Sequence, residues 1–261
     1  MSFVVFNWQQ IIQGDFLSKV FCFDNQKKGT AISIGGFDGI HLGHKTLINA
    51  VLNQKNLLHG VVTFKLPPRA YIHPDSFDGS IYTLNQKLNF FKEMGLDFAV
   101  VIDFSGDFSR MNGEDFLYCL IKNLNMKFLA EGEDFKCGFQ GTTDCHKIRE
   151  FSQENGFLFN VFPSVVFEGN KVSSTRIRTA IKCGDFSLVE QLLDRRFSLD
   201  FSSNSNDYQV LPPDGIYNVR GYRSAGDYIL AKLVIQNKKT SLYIDKEIVD
   251  VDEVTSVEFT G

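Results

Sequence analysis

Between residues 30 and 165, short apolar runs alternate with stretches of helical spacing, and that alternation leaves few folds open. It places strands at 30–34, 59–64, 98–104, 127–130 and 157–161. Helices are expected at 42–53, at 84–94 with Thr83 as N-cap and Gly95 closing it, from Gly113 to about Asn123, and at 144–155 before Gly156. Ser173-Ser174-Thr175 and Asp185 stand where they cap two further short helices, parted at Gly184. Strands alternating with helices build a parallel sheet covered on both faces. The fold class is therefore α/β, a Rossmann-like doubly wound parallel sheet. A small C-terminal antiparallel β module is expected beyond it. Residues 198–209 are rich in Ser, Asn and Asp, and after Pro212-Pro213 the apolar pattern takes period two at 216–219, 228–235, 241–244 and 254–259. The expected organisation is a domain at 1–196, a linker at 197–209 and a module at 210–261. A module of about 50 residues buries too little surface to stand alone, so it packs on the first domain or on a partner.

The bulk properties exclude several classes. The formal net charge of −4 offers no basic footprint for nucleic acid. No apolar run approaches the roughly 20 residues that span a bilayer, and no basic n-region opens the chain, so a cytoplasmic protein that does not engage a membrane is expected. Five cysteines lie scattered without a Cys-x-x-Cys and read as free thiols. The 26 phenylalanines against one tryptophan read as a compositional habit rather than a cofactor-binding box.

The chemistry concentrates where the first strong strand, Ala31-Ile32-Ser33-Ile34, meets the first helix of the repeat. The turn runs Gly35-Gly36-Phe37-Asp38-Gly39-Ile40-His41-Leu42-Gly43-His44. Its glycines let a ligand approach the backbone. Two imidazoles three residues apart at a helix N-terminus suit anionic oxygens, phosphates foremost. A bare His pair equally well satisfies local backbone or solvent. A metal site needs a third ligand and only Asp38 is near, so no metal ligands are assigned. Nor is this a Walker A loop, since His44 rather than Gly precedes Lys45.

A second group is Ser173-Ser174-Thr175-Arg176-Ile177-Arg178, where hydroxyls and guanidinium groups meet a helix start. That suits a polyphosphate, and an ordinary Ser cap with surface arginines fits the same residues. Ala130-Glu131-Gly132-Glu133-Asp134-Phe135 with Gly138, and Thr63-Phe64-Lys65-Leu66-Pro67-Pro68-Arg69, follow predicted strands. Pro67-Pro68 should make the second of these extended and stiff. Taken singly, both read as connections. His59, His73 and His146 read as structural or surface residues.

Together and in this order, the four segments resemble the bacterial FAD synthetases, usually bifunctional riboflavin kinase/FMN adenylyltransferases, over about residues 20–196. The resemblance implies a fold of nucleotidylyltransferase type and adenylyl transfer from ATP to FMN, with Mg²⁺ accompanying ATP. It implies catalytic roles for His41, His44 and Arg178, ATP binding by Gly35, Phe37, Asp38, Gly39, Ser174 and Thr175, and FMN binding by Phe64, Asp134 and Phe135. Two departures stand out. Leu66 and Pro67 occupy the first Pro and the His of the family's Phe-x-Pro-His-Pro loop. No Pro-Thr pair of the family's Gly-x-Pro-Thr-Ala-Asn kinase motif follows residue 196, so the tail looks like a shortened kinase barrel. Riboflavin kinase activity is expected to be absent, with FMN supplied by a separate kinase. The alternatives are a nucleotidylyltransferase for another phosphate substrate, such as pantetheine phosphate or nicotinate mononucleotide, and a non-catalytic flavin-nucleotide-binding protein.

Overall fold

The run Ala31-Ile32-Ser33-Ile34 becomes the centre of a six-stranded sheet. The computed structural model describes residues 3–20, 28–104, 106–202, 209–223, 226–244, 247–248 and 254–260; Cys22 and residues 203–208 of the expected linker lie outside the described residues. In chain order the first elements are β1 (Val4–Asn7), α1 (Trp8–Ile12), α2 (Asp15–Val20), β2 (Thr30–Ile34), α3 (Leu42–Leu52), β3 (Leu58–Phe64), α4 (Pro68–Ile72), α5 (Leu84–Glu93) and β4 (Phe98–Ile102). There follow α6 (Gly113–Leu124), β5 (Met126–Gly132), β6 (Lys136–Cys137), β7 (Thr143–Asp144), α7 (Cys145–Asn155) and β8 (Leu158–Phe162). The sheet order is β1-β4-β3-β2-β5-β8, and every neighbouring pair is parallel. All five residues of β2 are buried, as a parallel sheet covered on both faces requires.

Within the parallel sheet the strand positions agree with the apolar runs to within two residues, except for β1, which the pattern did not disclose. It is a four-residue edge strand whose only partner is β4 among the described residues. The helix starts follow their caps. Thr83 and Gln86 form a capping box, with Gln86 N donating to Thr83 Oγ1 at 3.2 Å and Thr83 N to Gln86 Oε1 at 3.0 Å. Asp144 and Ser173 cap the helices that begin at Cys145 and Ser174. The stiff loop expected at Pro67-Pro68 is corrected: only Pro67 is extended, and Pro68 opens α4. Proline suits a first helical position, because the N–H it lacks has no partner there.

The chain divides into two compact units. The first comprises Met1–Phe37, Gly43–Asp75 and Leu88–Val165, and holds the parallel sheet. The second comprises Asp38–Leu42, Ser76–Lys87 and Val166–Gly261. It contains β9 (Val166–Phe167), β10 (Asn170–Lys171), α8 (Ser174–Lys182), α9 (Phe186–Leu193) and β11 (Ser198–Asp200). Then come β12 (Gly215–Arg223), β13 (Tyr228–Gln236), β14 (Lys239–Ile244), β15 (Glu247–Ile248) and β16 (Val254–Phe259). Its antiparallel sheet runs β11-β16-β12-β13-β14-β15. The division differs from the organisation expected at 1–196, 197–209 and 210–261. Ser198–Asp200, inside the expected linker, is a strand because Phe197 and Leu199 are apolar and buried at 2 % exposure. The rings of Phe186 and Phe197 stack on Phe259 at 4.5 and 5.5 Å, which ties α9 to the β module in one core.

Candidate functional site

The first unit carries a cavity of about 390 Å³ beyond the carboxyl ends of its strands. Gly35 and Gly36 reach it from β2, Phe64 from β3, Phe104 from beyond β4, and Asp134 and Phe135 from beyond β5. Doubly wound sheets bind ligands at this edge. Gly35, Phe64, Asp134 and Phe135, singled out in separate segments, thus line one cavity. Phe104, Phe108 and Phe116 complete its wall, in edge-to-face contacts of 5.5 to 6.0 Å. Sequence reasoning did not name these three. Their signal was the phenylalanine excess that read as habit; the structure concentrates part of it here, five rings around one space. The Gly35-Gly36 turn is fixed by Gly35 N donating to Val62 O at 3.0 Å and by Thr63 Oγ1 on Gly36 O at 3.5 Å.

Phe37 closes the first unit's part of the turn. It is 1 % exposed and its ring packs edge-on against Phe91 and His44, at 5.5 and 5.3 Å. Phe37 is therefore a core anchor of the turn. His44 is half-buried in the first turn of α3. Between Phe37 and α3 the backbone is strained: Phe37 has φ 47°, Gly39 88° and Ile40 43°. Two of these three are residues for which a left-handed conformation is costly, and such strain persists only where surroundings over-determine it.

For Asp38–Leu42 those surroundings lie in the second unit, to which these residues belong. The Asp38 carboxyl accepts Ile81 N at 2.7 Å and Tyr82 N at 3.3 Å on Oδ1, while Oδ2 pairs with the Arg178 guanidinium. Arg178 Nε donates to Gly79 O at 3.0 Å, and Ser174 Oγ donates to Asp38 O at 2.8 Å. Burial is the largest influence on the Asp38 carboxyl and raises it, opposed by Arg178, Lys87 and the two amides. Asp38, Ser174 and Arg178 thus meet, but as a staple that binds the strained turn to α8. Thr175 is exposed in the first turn of α8. A side chain at Gly39 would be both crowded and strained: an added Cβ would stand 3.1 Å from Ile81 and Leu193 atoms, and φ is 88°. Arg176 is engaged locally, donating to Phe167 O and Asn170 O at 2.9 and 3.1 Å.

His41, directly before the first residue of α3, is 6 % exposed. Burial lowers its pKa from 6.5 to about 4, and the Lys171 charge pushes the same way. The ring is neutral at pH 7 and offers a hydrogen bond rather than a charge. The unfolded chain takes up the proton first as pH falls, so the stability this residue contributes is intact above about 6.5 and is lost on the way down to about 4. Between pH 7 and 5 the wild type is expected to lose about 2 kcal/mol more than His41→Gln, measured by urea unfolding at both pH values.

A family model described as FAD synthetase matches residues 23–176. Similar proteins include the bifunctional riboflavin kinase/FMN adenylyltransferases of Haemophilus influenzae, 30% identical over 177 residues, and of Escherichia coli, 29% identical over 177 residues. Each match covers 66% of this chain, and the chain spans 57% and 56% of those relatives. The relative of the same description from Buchnera aphidicola is 26% identical over 231 residues, which are 85% of this chain and 72% of that protein. Among solved structures, a macrolide-efflux protein from Streptococcus pneumoniae superposes with a TM-score of 0.74 at 23% identity, covering 89% of this chain and 84% of that one. That likeness concerns the fold alone.

Proposed function

The chain belongs to the FAD synthetase family, and from that premise we propose that it is an FMN adenylyltransferase, a nucleotidylyltransferase that converts ATP and FMN to FAD and pyrophosphate. The observation that carries the reading is the phenylalanine-walled cavity entered by the Gly35-Gly36 turn. Its flat apolar walls suit a flavin ring, with Phe64 and Phe135 against the ring and Asp134 at its polar edge. An oxygen of the FMN phosphate attacks the α-phosphorus of ATP. The new P–O bond forms as the bond to the bridging oxygen breaks, and pyrophosphate leaves with the electron pair. The phosphate monoester is already an anion near pH 7, so the reaction asks for positioning and charge stabilisation rather than a strong base.

Neutral His41 donates a hydrogen bond to the ATP phosphates, and His44 stabilises charge moving onto the leaving group. Thr175, exposed in the first turn of α8, receives the terminal phosphates at the helix start, which Ser174 and Arg178 hold in place through Asp38. Gly35 and Gly39 give the nucleotide access to backbone, while Phe37 and Asp38 hold the turn that presents it. No group of three or more His, Cys, Asp or Glu forms a metal site among the described residues. Mg²⁺ therefore enters our proposal as the companion of ATP, and no step is derived through it. No helix among the described residues is long and apolar enough to cross a membrane.

We assign the reaction to the portion expected at 1–196, and riboflavin kinase activity to a separate enzyme. Incubation with ATP, Mg²⁺ and either FMN or riboflavin, followed for flavins and pyrophosphate, tests both points. FAD with stoichiometric pyrophosphate is expected from FMN and no product from riboflavin. FAD or FMN from riboflavin would refute the missing kinase, and no product from FMN would refute the transferase.

A further inference from the structure

The parallel sheet reverses its winding direction between β2 and β5: β3 and β4 are added on one side of β2, β5 and β8 on the other. Such a switch point opens a crevice beyond the carboxyl ends of its two strands. Here the strands part early. The β2–β5 register ends at Ile32↔Leu129, whereas β2 stays paired with β3 to Ile34↔Val62 and β5 with β8 to Gly132↔Phe162. Ile34 N, facing β5, has thereby lost its place in the ladder. The Glu131 side chain fills it, with Oε1 accepting from Ile34 N at 2.6 Å.

We infer that Glu131 is a positioning residue that closes the gap between β2 and β5 and so fixes the Gly35-Gly36 turn at the cavity. Thr63 and Val62 hold that turn from β3, and Glu131 holds it from β5. An acid is an odd choice for such a plug. Glu131 is 1 % exposed, no cationic side chain pairs with it among the described residues, and its titratable neighbours are the thiols of Cys137 and Cys145. Burial raises its carboxyl well above the ordinary range. Burial thus favours the un-ionised acid, whose carbonyl oxygen serves Ile34 N without placing a negative charge at the cavity turn. An amide has the same shape and offers the same acceptor.

The catalytic part of this inference rests on the proposed adenylyl transfer, so its test has arms with and without substrate. Without substrate, amide hydrogen exchange at Ile34 is compared in the wild type, Glu131→Gln and Glu131→Ala, and the infrared band of a protonated carboxyl is sought at pH 7. Glutamine is expected to keep the exchange rate within about threefold, and alanine to raise it about tenfold or more, the loss of one buried hydrogen bond. The wild type should show the carboxyl band and Glu131→Gln should lack it. With ATP and FMN, alanine should lower kcat about tenfold or more, and glutamine should restore it to within about threefold. Unchanged exchange in Glu131→Ala, no carboxyl band, or a glutamine variant as impaired as alanine overturns the inference. If alanine does not fold, the glutamine rescue and the band decide. A wild type that makes no FAD refutes the transferase, and the exchange and infrared arms still judge the plug.

Discussion

Replacing His44 with alanine is expected to lower kcat for FAD formation by about 100- to 1,000-fold, the usual loss when one preorganised donor to developing charge is removed. The fold should hardly notice. His44 is a half-buried residue in the first turn of α3, where alanine is the best helix former. The structural cost is chiefly its edge contact with Phe37, about 1 kcal/mol. Steady-state turnover and urea unfolding of the same preparation separate the two effects. A well-folded variant with wild-type turnover would remove His44 from the machinery.

Asp38→Ala should behave in the opposite way and act first on stability. It leaves the Arg178 guanidinium, 12 % exposed, without its carboxylate and takes the acceptor from Ile81 N and Tyr82 N. Breaking a buried pair by removing one partner costs about 3–5 kcal/mol. Asp38→Asn keeps an oxygen for the two amides and should lose less. The double variant Asp38→Ala with Arg178→Met should be more stable than Asp38→Ala alone, since no stranded charge remains. Denaturant midpoints check all three, and equal stabilities would mean that the staple does not hold the turn.

These expectations show what a linear reading reaches. The β2–α3 turn was plain because its signals are local: an apolar run, glycines, then helical spacing. The cavity residues Phe64, Asp134 and Phe135 were reachable because they lie at or just beyond the ends of predicted strands, in segments whose order carries the family resemblance. Asp38 and Arg178 were both marked, but as two ligands of a nucleotide. Their mutual bond joins residues 140 apart, and no spacing rule relates them. Glu131 stands beside Gly132, Glu133 and Asp134 in what reads as an acidic loop, and only the parting of β2 and β5 sets it apart from them. The edge strand β1 and the strand at Ser198–Asp200 are four and three residues long, too short for a period to declare itself.

Asp38–Leu42 and Ser76–Lys87 belong to the unit completed by residues from Val166 onward. On the ribosome, then, Asp38 emerges 140 residues before the arginine that neutralises it. At ordinary rates of synthesis that interval is roughly 7–28 s. The parallel sheet can form meanwhile, while the strained turn has nothing yet to define it. Nor does β15 finish the antiparallel sheet: β16, the latest in sequence of its six strands, is the one that bridges β11 to β12.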